Sequence, residues 1–305
     1  MAEPAPLGNS DAPPGGRALW LRTADGARVR LAIWPGDRQV LILPGRTEYI
    51  EKYGLVIRDL AAAGWGALVV DWRGQGLSDR ALDDPLRGHI GDFADYQHDL
   101  DAVLAAAPGP APMPWLAHSM GGCIALRGLM RGLRPPAVAF SAPMLGLAQP
   151  EGKMRALRLL ARLAAPLRAD RGYAPTTGPT YGLPSMPFEG NPLTNDRAQF
   201  DRMKAQIADD PRLTLAGPTL RWMGAALREM AALAALPSPP VPALFGLGSA
   251  DSIVATAAIR ARAAIWPGAA LAEYPGAQHE LTMESPAVRD DFLRRAITLF
   301  DRPAG

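Results

Sequence analysis

The chain has 305 residues, is 48% hydrophobic and 20% charged, and carries a formal net charge of +2. That size and balance fit one large α/β domain with a sizeable core and room for an inserted subdomain; with no strong overall charge and no recognised motif, nucleic acid is excluded as a partner. One cysteine, Cys123, excludes an intrachain disulfide and suits a reducing compartment.

Residues 1–16 have neither the basic start nor the apolar run of a secretory signal and read as a flexible tail. No stretch reaches the ~18 apolar residues that span a bilayer. The expectation is therefore a cytoplasmic protein that meets a membrane only at its surface. Residues 17–34 alternate, as in Arg28-Val29-Arg30-Leu31, and predict an antiparallel hairpin at a sheet edge. Gln39 to Leu43 and Ala67 to Asp71 are apolar runs of strands covered on both faces, with a helix over 50–63 between them. Strand, helix, strand at this spacing implies a right-handed parallel crossover. A glycine-rich loop, Asp71 to Arg80, and a helix over 92–107 follow. Further strands are predicted at Pro114 to Leu116, Ala137 to Ser141, Val241 to Leu247 and Ala270 to Tyr274, with a last helix from Ala287 to Phe300. Between Met144 and Pro237 the alternation stops. The expected division is a core of 17–144 and 236–305 with a helical cap over 145–235.

Ala117-His118-Ser119-Met120-Gly121 lies between the strand at 114–116 and an apolar helix. Strand, small-residue turn and helix around a serine is the nucleophile-elbow pattern G-x-S-x-G, with Ala117 in place of the first glycine. Asp251 follows a later strand and His279 lies in the loop after the last one, so serine, acid and histidine occur in the chain order this elbow uses. Ser119 is the candidate nucleophile, His279 the base and then acid, and Asp251 the group that orients the imidazole. Asp71, Asp79, Asp92, Asp95 and Asp99 are rival acids, but none falls at a strand end between Ser119 and His279. His89 and His98 precede the serine, and His118 diverges from it at the turn. The oxyanion needs preformed donors: the amide of Met120, and one from the loop after Leu43. Pro44 has no N–H, so Gly45 or Arg46 must supply the second, with Arg46 favoured.

Four segments resemble the lysophospholipase and monoacylglycerol-lipase branch of the α/β-hydrolases: Leu43 to Tyr49 with Lys52-Tyr53, Asp71 to Ser78, Ala117 to Gly122, and Gly276 to Glu280. Pro85 to Ile90 and Asp209 to Leu213 also resemble bacterial lysophospholipases that associate with the inner membrane, as does Pro44-Gly45 where monoacylglycerol lipases usually have His-Gly. The resemblance implies an α/β-hydrolase fold, a mostly parallel sheet flanked by helices with a helical cap. It implies hydrolysis of a carboxylic ester through an acyl-serine, with no metal and no organic cofactor, on a lysophospholipid or another single-chain lipid ester. Two alternatives remain. A proline-iminopeptidase-like peptidase would need acids in the cap to hold an amine, from Glu189, Asp196, Asp201, Asp209 and Asp210. A non-catalytic hydrolase-fold binding protein would tend to have lost the serine or histidine. Aspartate-nucleophile hydrolases are excluded by Ser119.

The cap carries one further signal. Residues 151–171 hold Lys153, Arg155, Arg158, Arg162, Arg168 and Arg171 against Glu151 and Asp170. Leu157, Leu160 and Ala164 fall away from the arginines, and Pro166 ends or kinks the helix. Such a segment either packs on the core with a solvated back or contacts a membrane surface peripherally. Nothing in the sequence assigns an oligomeric state.

Overall fold

Side chains alternate across a pleated strand, so a strand apolar at every position must be covered on both faces. β4 (Arg38–Leu43) and β5 (Trp65–Asp71) are of this kind: Leu41, Leu43, Leu68 and Val70 enter one core, and Val40, Ile42, Ala67 and Val69 the other. A computed structural model describes residues 3–109, 112–180 and 182–302. Their sheet has nine strands: β1 (Glu3–Ala5), β2 (Arg17–Arg22), β3 (Arg28–Trp34), β4, β5, β6 (Trp115–His118), β7 (Val138–Ser141), β8 (Ala243–Gly248) and β9 (Ala270–Tyr274), in spatial order 1-2-3-5-4-6-7-8-9. β1, β2 and β3 form the antiparallel edge; from β5 onward neighbours are parallel.

Helices cover both faces. α1 (Gly54–Ala62) follows a short 3-10 turn, Ile50–Tyr53; α2 (Asp95–Ala106) precedes β6; α3 (Met120–Met130) leaves it. Between β7 and β8 lie α4 (Glu151–Ala164), α5 (Arg197–Asp209) and α6 (Leu220–Ala234), and no strand of the sheet. α7 (Thr256–Ala264) links β8 to β9, and α8 (Pro286–Phe300) closes the chain. α2, α3, α4 and α6 share one core, while α1 and α8 pack on the opposite face. α5 buries Phe200, Met203 and Ile207 in a separate small cluster with Tyr49.

Two features depart from the sequence reading. The flexible tail expected over 1–16 is packed from residue 3 on: β1 pairs with β2, and Trp34 Nε1 donates to the Pro13 carbonyl at 3.0 Å. Gly54 lies so close to this segment that a Cβ would sit 1.2 Å from the Ser10 carbonyl oxygen. Residues 1 and 2 lie outside the described residues. Arg30, a polar position in the alternating 17–34 segment, is fully buried, with its guanidinium on Asp71 at 2.7 Å and Glu51 at 2.8 Å. A buried guanidinium is tolerable only when paired and hydrogen-bonded, and these two carboxylates do both.

Candidate active site

β6 ends in the middle of the sheet, where α3 must start at once. Ser119 makes this turn with φ 49° and ψ −115°, a conformation that strains any residue with a Cβ. Gly121 makes it possible: a Cβ there would lie 2.0 Å from the Leu43 carbonyl oxygen. At Gly122 it would meet Pro143 Cβ at 2.6 Å. The turn lifts Ser119 Oγ to the C-terminal end of the parallel strands, where open α/β sheets place their ligands.

The loops after β8 and β9 end beside it. His279 Nε2 lies 2.9 Å from Ser119 Oγ, and His279 Nδ1 lies 2.7 Å from Asp251 Oδ2. All three side chains are buried. Asp251 Oδ1 accepts the amides of Ile253 at 2.8 Å and Val254 at 3.1 Å. Burial alone would raise the Asp251 carboxyl; the His279 hydrogen bond and charge, with these amides, outweigh it and hold the group below the usual carboxylate value. The backbone of the histidine loop is tied to the segment between β7 and β8, since the amides of His279 and Glu280 donate to Pro192 at 3.4 Å and Leu193 at 2.9 Å.

Met120 is the first residue of α3, so its N–H has no acceptor within the helix. On the loop after β4, Glu48 Oε2 accepts the Gly45 amide; Arg46 follows it in the chain. The loop is held from the Asp71–Arg80 segment: Trp72 Nε1 donates to the Pro44 carbonyl at 2.9 Å and Gln75 Nε2 to that of Gly45 at 2.7 Å. That segment serves as scaffold. Asp71 accepts from Arg30 and the Ile50 amide, and Arg73 pairs with Asp99 and Asp25. The other rival acids are also engaged: Asp79 accepts from Arg28, while Asp92 and Asp95 cap the loop before α2.

A cavity of about 270 Å³ opens on Ser119 and His279; its apolar wall includes Met144, Leu147, Trp222, Met223 and Ile253. Arg46 is the one lysine or arginine among the described lining residues. Its Nη2 donates to the Ala216 carbonyl at 2.6 Å, and its guanidinium lies over the Trp222 ring at 5.1 Å. None of the five cap acids weighed as amine ligands lines this cavity. Glu189 and Asp201 face Arg197, Asp196 caps α5, Asp210 pairs with Arg212, and Asp209 borders a different cleft.

The sequence reading missed how Asp251 is held and where the Gly45 amide goes. Asp251-Ser252-Ile253 is an Asx-type turn, visible in principle from residue types. Glu48 and Lys52 stand at i,i+4, a spacing that places two side chains together on a helical turn.

Sheet order and elbow together define an α/β-hydrolase fold. The chain belongs to the family Hydrolase_4, serine aminopeptidase S33, whose model matches residues 35–286. It is 39% identical over 203 residues to lysophospholipase L2 of Escherichia coli, covering 64% of this chain and 58% of that one. The chain thus spans under two thirds of that relative's length. It is 26% identical over 260 residues to probable lysophospholipase L2 of Haemophilus influenzae, covering 84% and 81%. Among solved structures, a soluble variant of monoglyceride lipase from Saccharomyces cerevisiae, in complex with a substrate analogue, superposes with a TM-score of 0.71 at 21% identity, over 92% of this chain and 94% of that one.

Proposed function

We propose that the protein is a serine hydrolase that cleaves single-chain lipid esters, with a lysophospholipid as the preferred substrate. The observation that carries this reading is the Ser119–His279–Asp251 relay opening on an apolar cavity. Ser119 Oγ attacks the ester carbonyl as His279 Nε2 takes its proton, and Asp251 stabilises the imidazolium. The oxyanion of the tetrahedral intermediate is met by the amides of Met120 and Arg46. Its collapse breaks the bond to the alcohol oxygen, which takes the proton from His279. Water, deprotonated by the same imidazole, then releases the fatty acid from Ser119.

Residues 145–235 act in this reading as a cap whose α6 supplies Trp222 and Met223 to the acyl-binding wall. The positive charge of Arg46 beside Ser119 supports a substrate that bears a phosphate over a neutral glyceride. α4 gives the cap a peripheral membrane contact, supported by its row of exposed leucines flanked by arginines. Among the described residues no helix is long and apolar enough to cross a membrane.

The test is turnover of lysophosphatidylcholine, monoacylglycerol and p-nitrophenyl esters from acetate to palmitate, with Ser119→Ala alongside. The expected result is a higher kcat/KM on lysophosphatidylcholine than on monoacylglycerol of the same chain, and a fall of about 10⁴-fold or more in the variant. Wild type inert on every ester would overturn the reading.

A further inference from the structure

Beneath the relay lies a buried ionic cluster with no role in the chemistry described so far. Lys52 Nζ donates to Glu280 at 2.7 and 2.6 Å and to Glu48 Oε1 at 2.5 Å. All three residues are buried, with no more than 5% exposure. Glu48 Oε2 accepts from Tyr53 Oη at 2.6 Å and from the Gly45 amide. His118 completes the group: its Nε2 is 3.8 Å from Glu48 and 3.7 Å from Glu280, and its ring packs against that of His279 at 4.8 Å between centroids. The donor atoms of Glu48, His118 and Glu280 lie within 4.8 Å of one another, a set that could hold a metal ion; the lysine ammonium bonds to both carboxylates of this set.

The two carboxylates belong to the two loops that must be in register for hydrolysis. Glu48 holds Gly45, the residue before Arg46, on the oxyanion loop. Gly45 is packed so tightly that a Cβ would lie 2.9 Å from His118, 3.0 Å from Glu48 and 3.1 Å from Ser119 Cβ. Glu280 is the residue after His279. The loops are far apart in sequence, with Lys52 and Glu280 separated by 228 positions, and this ammonium joins them. Two buried carboxylates this close repel, and neither is tolerable unpaired. Burial alone would lower the Lys52 ammonium, but Glu280 and Glu48 outweigh it and raise it well above its usual value, so it stays charged.

We infer that Lys52 is a positioning residue for hydrolysis, coupling the oxyanion loop through Glu48 to the histidine loop through Glu280. The inference rests on the proposed role of Ser119 and His279. Without the ammonium, the carboxylates separate or take up a proton; the Arg46 amide and the His279 ring lose their common reference, and Ser119 attacks the ester and gives up its proton in the wrong geometry. A displacement of about 1 Å at such a site costs on the order of 100-fold in rate.

The experiment measures the second-order rate of Ser119 phosphonylation by a fluorophosphonate, with kcat and KM on p-nitrophenyl butyrate. Each variant is assayed well below its own unfolding midpoint, found by circular dichroism. Lys52→Met is expected to lose about 100-fold in labelling rate and kcat, with KM within about threefold. Lys52→Met/Glu280→Gln, with one carboxylate fewer, is expected to recover about tenfold. A stabilising role alone would lower the midpoint of Lys52→Met and leave the kcat of the folded enzyme in place, which would overturn the inference. So would a double variant no faster than the single one. Should Lys52→Met fail to fold, Glu280→Gln carries the test: it keeps the Lys52–Glu48 pair but loosens the histidine loop, and is expected to lose about tenfold in kcat at constant KM. Wild-type kcat there would overturn the inference. A wild type that is never labelled contradicts the Ser119 reading itself, whereas labelling at equal rates in all variants contradicts only the role of Lys52.

Discussion

Gly121 bears on the nucleophile more directly than its lack of side chain suggests. The Leu43 carbonyl that a Cβ would strike at 2.0 Å is main chain at the end of β4 and cannot swing aside. Gly121→Ala is therefore expected to destabilise the fold by ~1–3 kcal/mol, as overpacking does, and to cut kcat by about 100-fold through displacement of Ser119 and the Met120 amide. Urea denaturation and p-nitrophenyl ester turnover check both; normal activity would show that the turn has slack. At this scale the convergence of Ser119, His279 and Asp251 was legible because each sits at a strand end, and none of the rival acids weighed does so between the serine and the histidine. The cluster of Glu48, Lys52, His118 and Glu280 was not. Charged residues at those positions look solvated in sequence, and only the sheet order, which brings β4, β6 and the loop after β9 together, buries them. His118 diverges from Ser119 along the chain, yet its ring rests on His279.

α4 shows how an element can be recognised while the sequence leaves open which of its apolar positions are covered. The helix and its end before Pro166 follow from the sequence, and the chain continues into a 3-10 turn, Ala165–Leu167. Leu157, Leu160 and Ala164 do not share one environment. Met154, Leu157 and Ala161 are buried, Ala161 lying where a Cβ on Gly224 of α6 would approach to 2.6 Å. Leu159, Leu160, Leu163 and Leu167 form a second apolar stripe, exposed by 58%, 42%, 63% and 81%. Helical spacing marks both stripes as apolar; it cannot say which one a neighbour covers, because that depends on the glycine of α6. Leu159, Leu163 and Leu167 with Arg155, Arg158 and Arg162 beside them suit an anionic bilayer, where each inserted leucine contributes roughly 1.5–3 kcal/mol. Leu159→Ser/Leu163→Ser/Leu167→Ser is expected to weaken co-sedimentation with phosphatidylglycerol vesicles at least tenfold while p-nitrophenyl acetate turnover is unchanged. Equal binding by wild type and variant would leave α4 as a cap helix with a solvated back. The packed segment at 3–16 escaped the sequence reading for a related reason: its proline-rich composition is that of a tail, and only the groove beside α1 and β3 gives it a place to lie.

Across the whole molecule, buried titratable groups set how stability follows pH. Burial, with Arg221 and Arg171 nearby, pushes His89 below its ordinary 6.5, and burial does the same to His118. In the unfolded chain both bind a proton near 6.5, so between the depressed native values and that pH the unfolded state holds more protons and stability rises with pH. Their contribution is present above about pH 6.5 and is lost as pH falls toward the native values. Asp99, raised to about 6 by burial against the pull of Arg73, acts in the opposite sense between its unfolded and native values. The readout is thus a difference: the fall in Tm on acidification from about pH 7.5 to 5.5 is expected to be smaller in His89→Asn, which keeps a polar partner for Thr219. Equal slopes would show that the fold does not lower His89 below its unfolded value. The doubly covered strands, the parallel crossovers and the antiparallel edge were all readable from apolar runs, because a sheet buried on both faces leaves that pattern in the sequence. The arrangement of α4 to α6 was not, since no comparable periodicity dictates how helices cover a cavity.

The central claim is that Ser119 carries the acyl group during turnover. Mixing the enzyme with lysophosphatidylcholine, quenching in acid within milliseconds and analysing the Ser119 peptide by mass spectrometry tests it most directly. The account predicts a peptide in which the acyl group of the substrate replaces the hydroxyl hydrogen of Ser119, and neither adduct nor turnover in Ser119→Ala. Turnover that persists in Ser119→Ala, or proceeds with the acyl group on another residue, would contradict it.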